Sequence, residues 1–291
     1  MSTVIHDIGY RHYDGPRLGG RDIERALFVE TLRAAFGWGR SARSKVMPLL
    51  LLAVCCLPAL IICVVMSVVP LVDEVPNGYP SYPFRLQVAL AVFIGSQAPA
   101  VISKDLRFRV APLYFSRPLS RTQYVRARYA GTAVAVFVLL ALPLTILLVG
   151  ALLAGLPWGE QLPPYLTAIG GTALHALVLA GIGLVIAALT PRRGLGVAAI
   201  VTVLLVLSGL QATVTALAEE FGAPTLADLA GLISPFALVD GTLAVLGAND
   251  ATVRAPGLDE GLGAVYPVLL VLLVVGCFAL LLRRFRKVAL G

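Results

Sequence analysis

Charged side chains are scarce in this sequence of 291 residues. Asp, Glu, Lys and Arg make up 13% of it and hydrophobic residues 58%, whereas a typical soluble domain is about 25% charged. The mean hydropathy is +0.89. A water-soluble core cannot absorb so much apolar sequence, so the composition excludes an ordinary soluble domain and predicts a membrane protein.

The motifs of enzymatic chemistry are also missing. None of the three lysines, Lys45, Lys104 and Lys287, follows a glycine, so the phosphate-binding loop G-x-x-x-x-G-K-[ST] is absent from the sequence. Neither metal-ligand spacing nor a convincing catalytic constellation occurs. We therefore expect no catalytic residue, metal or cofactor, and if ATP drives this protein, a separate chain must hydrolyse it.

Long hydrophobic segments dominate what is present. Crossing a bilayer core takes about 20 apolar residues at a rise of about 1.5 Å each, and a lipid-exposed backbone must satisfy its own hydrogen bonds. The predicted fold is an all-α membrane protein with six transmembrane helices. These spans are placed near residues 47–71, 86–103, 130–155, 164–189, 195–218 and 264–282.

The distribution of charge predicts how these spans are oriented. Of the 23 Lys and Arg residues, 21 lie before the first span, in 104–129, in 190–194 or after the last span. The opposite side has only Arg85 and Arg254, with 10 of the 16 acidic residues. This positive-inside asymmetry predicts that both termini lie in the cytoplasm. The expected location is the plasma (inner) membrane. The asymmetry also argues against a nucleic-acid partner, despite the net charge of +7.

A further hydrophobic stretch, residues 229–247, tests this topology. As a full span it would place the basic C-terminal tail outside. It would also bury Asp240, at a cost of about 2.5–3.5 kcal/mol, beside the helix-breaking Pro235 and Gly241. We therefore expect this stretch to be re-entrant before the sixth helix, or to lie on the outer interface.

The N-terminal region, residues 1–46, is expected to be a cytoplasmic arm followed by an amphipathic helix, with the membrane domain in 47–291. Phe28, Leu32 and Phe36 recur at i, i+4 and i+8 in residues 21–40. This spacing predicts an amphipathic helix lying in the membrane interface, with Trp38 at headgroup level. The alternative is a cytoplasmic helix that packs on the loops of the same chain.

The loop of residues 104–129 mixes basic and aromatic residues. Pro118 divides it, and Ser120 with Gln123 predicts a capping box that begins a helix running into the third span. The first half is expected to form a short helix that presents aromatic side chains. Exposed aromatics favour a docking element, and the alternative is a basic loop held on anionic headgroups.

Polar residues inside the spans are few. His175 is either hydrogen-bonded between helices, with Thr172 one turn away, or part of a substrate path or proton relay. The other polar residues form two groups that either join helices or line a passage between two subunits. The candidate path residues are Ser96, Gln97, His175, Ser208, Gln211 and Thr215.

Two local motifs resemble one known family. The segment SRPLSRTQYVRARYAG, residues 116–131, is similar to the S-R-P-[VL]-S-R-x-x-[YF] segment that enters the third helix of ABC-2 type permeases, the membrane subunits of bacterial ABC exporters. The N-terminal YRHYDGPRLG, residues 10–19, resembles a stretch found in one branch of bacterial ABC permeases. The order of interfacial helix, six spans, large second cytoplasmic element and re-entrant segment matches as well.

The resemblance implies a function and its partners. The chain would be the permease subunit of an ATP-driven exporter of hydrophobic or amphipathic molecules, with a separate ATPase subunit and a second, identical or different, permease subunit. The loop before the third helix would carry the coupling helix. The implied ATPase-coupling residues are Asp105, Arg107, Phe108, Leu113, Tyr114, Phe115, Arg117 and Arg121. An ion-coupled secondary transporter and a non-transport membrane scaffold are the alternatives.

Overall fold

The computed structural model describes residues 15, 19–39, 41–68, 75–76, 78–107, 114, 119–190, 192–248, 250–253, 255–256 and 262–288. Throughout these residues the regular structure is helical and no strand occurs. The helices longer than one turn are α1 (Gly20–Ala35), α2 (Arg43–Val68), α3 (Tyr82–Arg85), α4 (Gln87–Val101), α5 (Ser103–Arg107), α6 (Arg121–Leu153), α7 (Trp158–Leu189), α8 (Arg193–Glu220), α9 (Pro224–Ala230), α10 (Pro235–Val245) and α11 (Val265–Val288).

Five of these helices are long and apolar enough to cross a membrane: α2, α6, α7, α8 and α11. They coincide with five of the predicted spans, which confirms a multi-pass helical membrane protein. Their exposed surfaces fit lipid contact, because α2 leaves Leu, Val and Ile side chains exposed and α11 leaves Leu and Val side chains exposed. Exposing this hydrophobic surface to water would cost free energy, whereas in a bilayer the lipid chains contact it.

The second predicted span differs from expectation. Helix α4 has only 15 residues, a length of about 22 Å, and it does not reach spanning length by itself. The helix is interrupted at Leu86, where ψ is 11°, and at Ile102, which stays in the right-handed helical region with φ of −108°. Hydrogen bonds continue on both sides of each interruption: Leu86 donates to the Pro83 carbonyl and accepts from Leu90 N–H, and Ile102 donates to the Ala98 carbonyl and accepts from Leu106 N–H.

Helix α4 is the central element of the bundle. Eleven of its 15 residues are buried, and it packs between α7 and α8. Glycines allow this close approach: a Cβ added at Gly95 would lie 2.7 Å from Val201, and one added at Gly183 would lie 2.6 Å from Ile94. Small residues at such crossings are typical of helix packing in membranes.

The stretch predicted to be re-entrant forms a bent helix pair. Helices α9 and α10 meet at 115° across a break of four residues, a geometry that fits either a broken span or a re-entrant loop. Ten of the 11 residues of α10 are buried. The Tyr266 hydroxyl donates a hydrogen bond to the Asp228 carbonyl, and its ring covers Gly241. Protein therefore surrounds the irregular backbone, as membrane depth requires.

Local sequence explains the start of α6 and the end of α1. The capping box at the start of α6 is confirmed: Gln123 N–H donates to Ser120 Oγ over 3.2 Å, and Ser120 N–H donates to Gln123 Oε1 over 2.8 Å. Helix α1 ends before Gly37, which has φ of +72°, and a Cβ there would lie 2.6 Å from the Ser44 carbonyl oxygen. Only glycine fits this turn between α1 and α2.

Candidate functional site

The region of the 104–129 loop lies at one end of the bundle, which we call the basic end. Here α1, α5, the start of α6 and the ends of α7 and α11 meet. Ser103 Oγ on α5 donates to the Ala187 carbonyl near the end of α7 over 3.0 Å. On α11, the Phe285 ring lies 4.9 Å from the Tyr124 ring of α6. The two ends of the 104–129 loop are thus held against two long helices, α7 and α11.

Arg128 is the centre of a buried polar network at this end. It is only 4% exposed, although it lies in the second turn of a hydrophobic helix. Its guanidinium donates to Asp105 Oδ2 over 2.9 Å, to Thr31 Oγ1 over 2.9 Å and to Glu30 Oε2. The Tyr124 hydroxyl donates to the same Asp105 oxygen over 2.5 Å. We call these five residues the Arg128 network, and it joins α1, α5 and α6.

Local sequence explains why these groups meet. Tyr124 and Arg128 are four residues apart on α6, so they share one face of the helix. Helix α1 approaches that face closely because residue 131 is glycine: a Cβ at Gly131 would lie 2.8 Å from the Thr31 Cβ and 3.1 Å from the Phe28 carbonyl oxygen. Thr31 is fully buried at this contact.

The charges of the network are unequally shielded. The side chains of Arg128 and Asp105 are 5% and 13% exposed, whereas that of Glu30 is 55% exposed. The Arg128–Asp105 pair therefore interacts in a medium of lower effective dielectric constant than the Arg128–Glu30 pair. A buried cation held by a buried carboxylate and a hydroxyl is strongly constrained in position, because losing either partner leaves the other charge unpaired.

A second ion pair binds α1 to α6 on the solvent side. Arg126 Nη2 donates to Glu24 Oε2 over 2.7 Å, and its Nε donates to Glu24 Oε1. This hydrogen bond from Arg126 lowers the pKa of Glu24 below its usual value, against the smaller raising effect of burial. The Arg126 side chain is 59% exposed, so solvent screening leaves this pair far weaker than the buried one.

The predicted coupling residues have different environments. Asp105 points into the Arg128 network and is 9% exposed, a placement that does not support it as a docking residue. Tyr114 packs its ring 5.6 Å from that of Tyr124. Arg107 is exposed and Arg121 is half-buried in the first turn of α6. Four further candidates lie outside the described residues: Phe108, Leu113, Phe115 and Arg117.

The predicted path residues form local pairs that do not join one another. Gln97 Nε2 donates to Ser96 Oγ over 3.1 Å, and Gln211 Nε2 donates to Thr215 Oγ1 over 3.0 Å. Ser208 instead shares a hydrogen bond of 3.1 Å with Ser234, in the turn between α9 and α10. The Ser208–Ser234 contact ties α8 to the bent pair, and among the described residues no hydrogen bond links the polar groups of α8 to the pair on α4.

His175 forms a hydrogen bond within its own helix. Its Nδ1 lies 3.0 Å from the Gly171 carbonyl within the same helix, which requires Nδ1 to carry the proton. The ring packs 6.4 Å from that of Phe236 on α10. His175 Nε2 and Thr172 Oγ1 are both buried without a hydrogen-bond partner among the described residues.

Sequence reasoning missed Arg128 as the centre of this end of the molecule. Arg128 was counted only as one of the basic residues of the loop. A signal was available, since an arginine within the capped helix of the third span needs a carboxylate partner when buried. The choice among Glu24, Glu30 and Asp105 as that partner required the fold. No known family model matches the chain, and no curated protein matches it either.

Proposed function

We propose that this chain is the transmembrane subunit of an ATP-driven exporter. It would work with a second permease subunit and with a separate ATPase chain that binds at the basic end. Five helices of spanning length support the membrane placement, and the SRPLSRTQYVRARYAG segment supports the family. Because the sequence has no phosphate-binding loop, an ATP-driven mechanism would require a separate chain to hydrolyse ATP.

The Arg128 network is the single observation that carries this proposal. A coupling loop must transmit a displacement to the membrane helices instead of absorbing it. Asp105, at the start of the loop, is bonded to Arg128 and Tyr124 near its other end, in the first turns of α6, and Arg128 continues the connection to Glu30 on α1. Moving the loop without moving α6 would break a buried ion pair, at a cost of about 3–5 kcal/mol.

A complete topology accompanies the proposal. Helix α4 becomes the sixth span when α3 and α5 extend it, and the α9–α10 pair enters and leaves on the side opposite the basic end. The basic end then faces the cytoplasm, as the positive-inside rule requires. Helix α1 lies in the interface with Trp38, which is 63% exposed, at headgroup level.

Substrates would be hydrophobic or amphipathic. The charged side chains of the described helices lie mainly at the ends of the bundle, and Asp240 is bonded internally to Val253 N–H. The polar groups on α4 and α8, including Gln97 and Gln211, would line a passage between two permease subunits. Such a passage has little charge with which to bind an ionic substrate.

The test is a paired substitution in the loop. Tyr114→Ala with Phe115→Ala should reduce both ATPase association and transport-coupled hydrolysis by at least about tenfold, because docking relies on a few buried aromatic anchors. Phe221→Ala is the matched control: Phe221 is 79% exposed at the end of α8 remote from the loop. If the loop variant retained both association and coupled hydrolysis, the coupling assignment would be wrong.

An ion-coupled secondary transporter is the second candidate, and one observation favours it. His175 Nε2 and Asp240 Oδ1 are both buried without a hydrogen-bond partner among the described residues, as sites for transient protons would be. This candidate predicts transport that continues without ATP and is abolished by His175→Gln. A membrane scaffold, the remaining alternative, predicts that no ATPase co-purifies and that no substrate moves.

A further inference from the structure

A groove runs between the ends of α7 and α11 at the basic end. It is open and has a volume of about 590 Å³, within the range of about 300–1,000 Å³ common for small-molecule pockets. Its walls combine two kinds of side chain. The principal lining residues are Val185, Leu189 and Leu280 on the apolar side and Arg283, Arg284 and Arg286 on the polar side.

The three arginines have no acidic partner among the described residues. The four acidic residues described at this end, Asp22, Glu24, Glu30 and Asp105, lie on α1 and α5, and none lines the groove. Arg284 Nε donates to the Ala188 carbonyl at the end of α7 over 3.3 Å, which holds one guanidinium over the groove. All three arginines are exposed. The groove therefore offers uncompensated positive charge to an anion.

The apolar wall determines what kind of anion fits. Leu189 is 63% exposed and Leu280 is 52% exposed. Leu280 lies one turn before Arg284 on α11, toward the middle of the helix, and Leu189 is the last residue of α7, next to the Ala188 carbonyl that Arg284 contacts. A free phosphate would contact the arginines but leave this wall bare. A ligand with an anionic head and an acyl chain would satisfy both surfaces at once, since arginine binds phosphate oxygens through its paired N–H donors.

We propose that this groove binds an anionic phospholipid, such as phosphatidylglycerol, from the leaflet at the basic end. The phosphate lies among the three arginines, and one acyl chain passes Leu189 and lies along Val185 and Leu280. Basic pockets between transmembrane helices on the cytoplasmic side are a known means of binding such headgroups. This inference requires only the membrane placement and is independent of the exporter proposal.

Brominated lipids provide the test. Leu189→Trp places a fluorescent reporter on the apolar wall, with Trp38→Phe and Trp158→Phe removing the two native tryptophans. Quenching by brominated phosphatidylglycerol is compared with quenching by brominated phosphatidylcholine, which has the same acyl chains. We expect a preference for the anionic lipid of about tenfold, since each basic residue near the surface attracts anionic lipid appreciably.

Matched variants locate the effect. Arg283→Gln, Arg284→Gln and Arg286→Gln together should reduce the preference to within about twofold, because the phosphate loses its donors. Arg192→Gln with Arg193→Gln removes two exposed arginines at the same end outside the groove, and should leave the preference unchanged. Adding inorganic phosphate should not displace the lipid, because phosphate lacks the acyl chain.

Three results would overturn the proposal. Equal quenching by the two lipids in the reporter protein would show that the groove does not select anionic headgroups, and this result needs no arginine variant to fold. An undiminished preference after removal of the three groove arginines would locate binding elsewhere. Full displacement by inorganic phosphate would show an anion site without a lipid component.

Discussion

Replacing Arg128 should destabilise this protein far more than replacing Arg126, its neighbour two positions earlier on α6. Both arginines are paired with a carboxylate of α1, and they differ chiefly in burial. The Arg128 side chain is 5% exposed and that of Arg126 is 59% exposed. Arg126→Gln is therefore a matched control of the same chemical change on the same helix.

The expected magnitude follows from the exposure of each partner. Removing one member of a buried pair costs about 3–5 kcal/mol, because the other charge is left unpaired. Asp105 is shielded and keeps only the Tyr124 hydroxyl, so Arg128→Gln should lower the free energy of unfolding by about 3 kcal/mol. The half-exposed Glu30 accounts for at most about 1 kcal/mol of this loss. Arg126→Gln should cost less than about 1 kcal/mol.

A double-mutant cycle isolates the buried pair. Asp105→Asn combined with Arg128→Gln should cost less than the sum of the two single variants, with a coupling free energy of about 2 kcal/mol. The assay is reversible unfolding in mixed detergent micelles, followed by circular dichroism. Equal losses for Arg128→Gln and Arg126→Gln, or strict additivity in the cycle, would refute the argument that a buried ion pair fixes the loop to α6.

Two further predictions concern packing and topology. Gly131→Ala should destabilise the protein by about 1–3 kcal/mol, because the new Cβ would overlap α1, whereas Gly209→Ala, with no atom within 4 Å of the added Cβ, should be neutral or stabilising in thermal unfolding. A loss at Gly209 equal to that at Gly131 would contradict the packing explanation. In a variant without the four native cysteines, Glu160→Cys should react with a membrane-impermeant maleimide in intact cells and Arg193→Cys should not. The reverse labelling would invert the proposed topology.

Hydropathy and charge predicted most of the helical framework because membrane insertion depends on local sequence. The five long helices lie where apolar runs of spanning length occur, and the start of α6 follows from the local capping box at Ser120. Pro235, Gly241 and Asp240 predicted that residues 229–247 do not form one straight spanning helix, and the helix pair in this stretch is bent by 115°. Each of these signals involves residues close together in the chain.

The parts that could not be predicted depend on contacts between distant residues. Asp105 and Arg128 are separated by 23 positions, and Glu30 and Arg128 by 98, so no local pattern distinguishes a docking carboxylate from a buried partner. The interruption of α4 at Leu86 and Ile102 likewise leaves no trace in hydropathy. Its central position, packed against Val201 of α8, results from the assembled bundle.

The proposed function is tested most directly by ATP hydrolysis in the complex that purifies with this chain from its native membrane. We expect a chain containing a phosphate-binding loop to co-purify in near-equal amount, with vanadate-sensitive hydrolysis that drives substrate accumulation in vesicles. Arg128→Gln should retain hydrolysis while transport falls, because the loop no longer moves α6. A purified protein that transports substrate on a proton gradient, with no ATPase bound even after cross-linking, would contradict the proposal.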